Sequence, residues 1–369
     1  MHLAALALTD FRRYESVSLT FGPGTTVLEG RNGAGKTTLL EAVAWVASGR
    51  SFRGVGDEAL VRHGCDQAVL RATVEDGERI QTLDAEIKVR GRNRVLVNGN
   101  PLGRARDRLE VLRVTIFAPD DLALVKGGPA ERRDFLDDLL VVLAPRYDAA
   151  RADFERVLKH RNALLKGGAR DAEARTTLDV FDDQLATAGA EIVRGRLRLI
   201  DRLLPFVAEA YGHFAGRPVP VAARYDADWA GPDGVDPDTV AEVLRDALAT
   251  LRPREIERGV TLAGPHRDEW RLLLDGLDTR SHASQGEQRS LALALRLGGH
   301  RLCTETLGTP PVLLLDDVFS ELDDGRATAL AEALPAGQAL VTTASALPAA
   351  VVPDDHRVVT AGVVERGSV

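Results

Sequence analysis

Cysteine is nearly absent: the 369 residues include only Cys65 and Cys303. Two thiols cannot build a disulfide framework, and neither stands at metal-ligand spacing, so a reducing cytosol is the simplest compartment. Long apolar runs are missing too, which excludes a bilayer-spanning helix and any membrane partner that would need one. The opening MHLAALALTDFRR has no basic region ahead of its short apolar stretch, which reads as a strand and not a signal peptide. Aromatic residues make up 5% of the chain, too few to offer successive bases a stacking platform. Lysine is scarce, at positions 36, 88, 126, 159 and 166, so arginine supplies most of the positive charge. Excess positive charge is lacking as well: the net charge is −8, and binding to nucleic acid would have to use local patches. No internal repeat or low-complexity segment interrupts the chain.

What is present is an ordinary globular composition, 44% hydrophobic and 28% charged, long enough for two or three domains. Residues 1 to 118 read mostly as strands. ESVSLTF alternates with period two, GPG turns it and TTVLEG returns. A helix is expected from Lys36 to Ser48, then a hairpin in EIKVRGRNRVLVNGNPL with turns at 91–93 and at Asn98-Gly99. Residues 130 to 215 are helical in pattern, broken at 166–174, with Pro205 a candidate kink. GVTLAGPHRDEWRLLLDG reads as a strand pair, PPVLLLDD and GQALVTTAS as buried strands. Strands at both ends flank a helical middle. The expected architecture is α/β: a mixed-sheet lobe of 1–120 and 308–369, with a helical lobe of 121–307 inserted.

GRNGAGKT, residues 30 to 37, fits G-x-x-x-x-G-K-[ST] between an expected strand and helix. Its glycines let successive N–H groups point inward around phosphate, and the helix N-terminus adds partial positive charge. Gly30, Arg31, Asn32, Gly33, Ala34, Gly35, Lys36, Thr37 and Thr38 are therefore the candidate nucleotide site. Lys36 would reach the β- and γ-phosphates, and Thr37 would ligate Mg²⁺. VLLLDD, residues 312 to 317, is a buried strand tipped by two acids. Consecutive strand residues face opposite ways, so Asp316 is assigned to the metal and Asp317 to the attacking water. Far from the loop, SQGEQRSLALAL opens with Ser284 and Glu287 at capping-box spacing. The cap does not explain Gly286, which costs up to ~1 kcal/mol in a helix; a close approach of backbone to a ligand would.

The order of these motifs, a phosphate loop, then S-x-G-E, then an acid-tipped strand, then SELD, resembles that of the ABC-type ATPases. DFRRYES, APDDLALVKGGPAERRDFLD, AGPHRDEW and LLLDDVFSELD narrow the resemblance to the RecF family, bacterial recombinational-repair ATPases related to SMC heads. It covers essentially the whole chain. It implies ATP and Mg²⁺ as cofactors, an ATP-dependent homodimer, DNA binding, slow hydrolysis, and cooperation with RecR and RecO to load RecA at single-stranded gaps. It further implies that Ser284, Gly286 and Glu287 close over ATP held by a second copy, and that residues 320–323 cross the dimer interface. Arg12 and Tyr14 would lie near the nucleotide. Three departures from ABC enzymes point to slow turnover: the second acid is Asp, the strand Leu340–Ser345 has no His where a switch His is usual, and no Gln comes directly after RVTIFAP. Thr342 or Thr343 takes the place of the His, and Thr343 is assigned there.

Two basic stretches are candidate DNA contacts, Lys88 to Arg108 and Arg156 to Arg170, both compatible with ordinary exposed faces. The contacts expected are to the phosphate backbone, without sequence specificity. His266 and Arg267 beside Asp268 suggest a structural ion pair more readily than a metal site. Two alternatives compete with an ATP-switched DNA clamp: an ATP-sensing scaffold without significant hydrolysis, and the nucleotide-binding subunit of a membrane transporter.

Overall fold

The computed structural model describes residues 1–168, 172–231 and 234–367, with side chains at 105 and 106 left aside. The first elements are β1 (His2–Phe11), β2 (Tyr14–Thr20), β3 (Thr25–Glu29), α1 (Lys36–Ser48), β4 (Gln67–Asp76), β5 (Arg79–Lys88), β6 (Arg94–Val97), β7 (Asn100–Pro101) and β8 (Val114–Phe117). The middle holds α2 (Ala123–Lys126), α3 (Pro129–Leu143), α4 (Arg146–Lys166), α5 (Ala172–Ala215), β9 (Val221–Asp226), α6 (Val240–Arg258), β10 (Glu269–Leu274), β11 (Leu277–Asp278), α7 (Thr279–His282) and α8 (Gln285–Leu307). β12 (Val312–Asp316), α9 (Asp324–Ala333), β13 (Ala339–Thr343), β14 (Asp355–Thr360) and β15 (Val363–Arg366) follow. Two units result: residues 1–121 with 300–369, and residues 122–299. Among the described residues no helix is long and apolar enough to cross a membrane.

The first unit contains two sheets, in the order β2-β1-β4-β5-β6-β7 and β15-β14-β3-β13-β12-β8. β4 shows the reason for the first: Ala68, Leu70, Ala72 and Val74 are buried while Gln67 and Arg71 face water, the period of a half-buried antiparallel strand. β12 and β13 are buried at every position and pair in parallel, which suits continuous apolar runs. The expected return of ESVSLTF into TTVLEG is not a hairpin. β2 pairs with β1, while β3 passes into the other sheet between β13 and β14. β2 keeps a wet face, whereas Thr26, Val27 and Leu28 are buried in succession and need cover on both sides. Asn98 and Gly99, both at positive φ, make the two-residue β6–β7 turn that the sequence predicts. α1 is buried along almost its whole length, with Leu39, Leu40, Val43 and Trp45 packing into the core beneath β1, β4 and β5.

Gln338 holds β1 to the second sheet as a strand would. Its Oε1 accepts from Leu3 N (2.7 Å), and its Nε2 donates to Leu3 O (2.7 Å) and Gly22 O (2.8 Å). A buried amide that meets backbone on both sides leaves no polar group unsatisfied.

In the second unit the helical stretch appears as α3, α4 and α5, with Pro205 inside α5. The break expected at 166–174 includes residues 169–171, which lie outside the described residues. Phe154, Leu185, Ile192, Leu244 and Leu248 form a core between α4, α5 and α6. Arg161 is fully buried there, donating to Asp182 (2.6 Å), Glu255 (2.6 Å) and Thr261 Oγ1 (2.8 Å). Arg252 takes the other oxygen of Asp182 at 2.6 Å. The strand pair expected over 259–276 is a single strand, β10, paired with β9 and β11. Its first half is spent on polar turns: Arg267 Nε donates to Thr261 O at 2.8 Å. The expected ion pair beside Asp268 does not form with its neighbours. Its carboxylate accepts instead from Tyr225 Oη and Trp229 Nε1, both at 2.7 Å, and burial raises its pKa to about 6.

Arg161 generates a stability prediction. Replacing it with Leu leaves buried Glu255 without a cation, while Asp182 keeps Arg252, a loss of about 3–5 kcal/mol. Urea denaturation followed by circular dichroism should show an unfolding free energy lowered by that much; an unchanged value would mean that the network carries no net stability.

Candidate nucleotide-binding site

β3 delivers the chain to Gly30, whose N–H donates to Thr343 O (3.1 Å). A Cβ at Gly30 would stand 2.3 Å from Val359 O, so only glycine fits between β3 and β14. The loop then turns through Gly33 (φ 79) and Gly35 (φ 116), which caps α1. Lys36 is 5% exposed, and its Nζ folds back to Gly30 O (2.6 Å) and Arg31 O (3.2 Å). Burial pulls its ammonium below the ordinary lysine range, while Asp317 and Asp316 oppose that shift.

The acids arrive on β12. Asp316 Oδ1 accepts from Thr37 Oγ1 and from Thr342 Oγ1, both at 2.8 Å. Burial raises its pKa, and the two hydroxyl bonds hold it down. Asp317 leaves the strand in a left-handed turn (φ 50), and its N–H donates to Thr342 Oγ1 at 2.9 Å. The alternation expected of consecutive strand residues therefore stops at Asp316, and both acids line one cavity of about 410 Å³. Asp317 Oδ1 is buried there with no hydrogen-bond partner. Asn32, Gly33 and Gly35 to Thr38 form one wall, Arg13, Phe52 and Arg53 another, and Ala118 to Asp120 a third. Two arginines, a lysine, three carboxylates and an array of loop N–H groups around a cavity of this size suit a polyanion and a divalent cation.

Several candidate residues sit elsewhere. Arg12 lies away from the cavity: it pairs with fully buried Glu41 through two bonds, Nε–Oε2 at 3.0 Å and NH2–Oε1 at 2.8 Å. Its neighbour Arg13 lines the cavity instead, because the β1–β2 turn points the two in different directions. Thr343 turns its hydroxyl to Ser345 O (2.6 Å), so Thr342 is the threonine at the acids. Arg31 is exposed and Ala34 buries its methyl in the core; neither side chain lines the cavity. Ser284, Gly286 and Glu287 belong to the second unit. There Ser284 N and Oγ donate to Glu287 Oε2 (2.8 and 2.7 Å) and Glu287 N donates to Ser284 Oγ (3.3 Å), the capping box at the exposed start of α8. Sequence reasoning missed Arg13, Arg53 and Phe52. The one available signal was GRSFRG, two arginines around an aromatic directly after the phosphate-loop helix.

The basic stretches divide. Arg90, Arg92 and Arg94 are exposed at the β5–β6 turn, and Arg104 is exposed after β7. Arg108 leaves that patch, 8% exposed with its guanidinium 5.8 Å from the centre of the Trp45 ring. The second stretch does not form one basic face. Arg161 is buried, Arg156 pairs with Asp153 at 2.7 Å, and Arg170 lies outside the described residues. Among the described residues no group of three His, Cys, Asp or Glu side chains is placed to hold a metal by itself.

A glycine loop opening a helix, an acid-tipped parallel strand bonded to the loop's threonine, and a mixed sheet drawn from both ends of the chain make an ABC-type ATPase head. The family described as RecF/RecN/SMC N terminal domain matches residues 2–351. An Smc head domain from Pyrococcus furiosus shares the fold, with TM-score 0.56 and 16% identity over 100% of this chain and 96% of that one. The DNA replication and repair protein RecF of Frankia alni is 50% identical over 93% of each chain. The solved structure of the recombination mediator protein RecF-ATP in the RecFOR pathway superposes with TM-score 0.92, at 30% identity over 99% of this chain and 97% of that one. The chain belongs to the RecF family, which sets aside the transporter-subunit alternative.

The two arginines of the β1–β2 turn should separate by experiment. Arg12→Ala leaves Glu41 as an unpaired buried charge and should cost about 3 kcal/mol in urea denaturation. Arg13→Ala should stay within about 0.5 kcal/mol of wild type, as surface substitutions do. Equal effects would refute the division.

Proposed function

We propose that the cavity binds ATP with Mg²⁺ and that the chain is an ATP-switched DNA-binding protein of replication and recombinational repair. The observation that carries the reading is the bond between Thr37 Oγ1 and Asp316 Oδ1, which puts the phosphate loop and the acid strand in one site. The loop N–H groups and Lys36 would bind the phosphates, and Thr37 and Asp316 would hold the metal, which when bound neutralises phosphate charge. Arg13 and Arg53 add positive charge at the rim. The unpartnered oxygen of Asp317 is placed to accept a proton from water. Asp is one methylene shorter than Glu, and Thr342 is a neutral hydroxyl where many ABC enzymes carry His. Both support slow turnover, a timer and not a motor.

Ser284, Gly286 and the α8 N-terminus form a second anion-binding end, suited to the γ-phosphate of ATP in another copy. ATP would thus join two chains, and hydrolysis would part them. The exposed Arg90, Arg92 and Arg94 are the proposed DNA contacts. The ATP-bound relative works in the RecFOR pathway, which supports RecR and RecO as partners and RecA loading at single-stranded gaps as the outcome. Thr342 in place of His also favours a second reading, an ATP-sensing scaffold with negligible hydrolysis; ATP turnover measured with and without DNA separates the two.

Two experiments test the main reading. Lys36→Met should weaken ATP binding at least about tenfold in calorimetry, whereas Asp317→Asn should bind as wild type and hydrolyse about 10²–10⁴-fold more slowly. Normal binding by Lys36→Met would refute the site. Reversing Arg90, Arg92 and Arg94 to Glu should weaken binding to every DNA sequence and flatten the salt dependence by about 0.9 per lost phosphate contact; unchanged affinity and slope would assign the hairpin to solvent.

A further inference from the structure

Four carbonyls of the phosphate loop accept hydrogen bonds, two from within the loop and two from outside it. Lys36 Nζ holds those of Gly30 and Arg31. The other two are held by groups that no nucleotide-binding motif contains. Gly362 N–H donates to Ala34 O at 3.1 Å, and Tyr14 Oη donates to Gly35 O at 3.1 Å. Gly362 and Ala361 form the β14–β15 turn, both at positive φ (90 and 48). Tyr14 begins β2, is 1% exposed, and lies so close that a Cβ on Gly35 would meet its oxygen at 2.8 Å.

The geometry of the peptide bond gives these contacts a consequence. In a planar trans peptide the carbonyl of one residue and the N–H of the next point in opposite directions. Fixing Ala34 O outward aims Gly35 N–H inward, and fixing Gly35 O outward aims Lys36 N–H inward. Those N–H groups belong to the part of the loop that lines the cavity. A donor on the carbonyl also polarises its peptide and strengthens the opposite N–H. Glycine at 33 and 35 gives the loop freedom to turn its peptides over, and the outside donors add to the 3.4 Å bond that Gly35 O accepts from Leu39 N–H in α1.

We propose that Tyr14 and the Gly362 turn are positioning groups that hold the phosphate loop in its anion-receiving shape before ligand arrives, making the β14–β15 hairpin part of the nucleotide site. The proposal rests on the ATP reading above. Binding then spends less on ordering the loop, the general gain from preorganisation.

The test is calorimetric titration of the full chain with ATP, ADP and pyrophosphate, each with Mg²⁺. Tyr14→Phe keeps the ring and removes one hydroxyl. It should weaken all three ligands by a common factor of about three to ten, the worth of one net hydrogen bond. A purely packing role for Tyr14 would leave all three affinities unchanged, because Phe fills the same space, and that result overturns the proposal for Tyr14. Should Tyr14→Phe unfold early in a melt, Gly362 provides the independent arm. A Cβ there meets nothing nearer than Arg13 O at 3.9 Å. Gly362→Asn tolerates positive φ and keeps the N–H, and should bind ATP more tightly than Gly362→Val. Gly362→Val disfavours that φ and should bind more weakly by the same common factor. Equal affinities for Asn and Val overturn the role of the turn. Failure of wild type itself to bind ATP would refute the nucleotide reading and this inference together, an outcome distinct from a wild type that binds and variants that bind equally well.

Discussion

Thr37 and Asp316 are separated by most of the chain, yet their side chains meet at 2.8 Å. The site depends on that hydrogen bond being possible, and the fold of the first unit is arranged to make it so. β3 must carry the glycine loop, β12 must carry the acids, and β13 must lie between them in parallel register. Thr342, at the end of β13, then bonds Asp316 and the Asp317 N–H together. A parallel strand order of this kind requires long crossovers, and the chain supplies one of them as the whole second unit. The β14–β15 turn bonds the loop at Ala34 O, and Gln338 ties β1 in at the other end of β13.

The features read correctly from sequence were those fixed by local chemistry. Lys36 to Ser48 is helical as expected, since Gly35 starts it and Gly49 stops it in left-handed conformations. Asn98-Gly99 turns as expected because that pair favours positive φ at both positions. The sheet shared by both chain ends was legible because fully apolar strands such as VLLL need cover on both faces. What could not be read was set by distant partners. Arg12 and Arg13 are adjacent and identical in type; only Glu41, buried on α1, decides which one leaves the cavity. Thr342 and Thr343 differ only in the direction each faces at the strand end. Arg161 looked like surface charge because Asp182 and Glu255, which bury it, are far away in sequence.

The same sorting shows where an acidic, arginine-rich chain keeps positive charge exposed. Arginine here has two separate uses. Arg161, Arg196 and Arg132 are buried against carboxylates and fix the second unit from within. Arg90, Arg92 and Arg94 remain in water on one turn, and Arg13 and Arg53 face the cavity. Net charge therefore says little about binding; the placement of exposed guanidinium groups says more.

Under the proposed function this chain carries half of each ATP site and a second copy completes it. Ser284 stands exposed and Gly286 half-buried at the start of α8, where the capping box satisfies Ser284 but gives no use to glycine. Sedimentation velocity in Mg²⁺, with and without ATP, tests the claim directly. The account predicts a monomer without nucleotide, a dimer with ATP, and no dimer for Ser284→Arg, which would still bind ATP. A mass that does not change with ATP would contradict it.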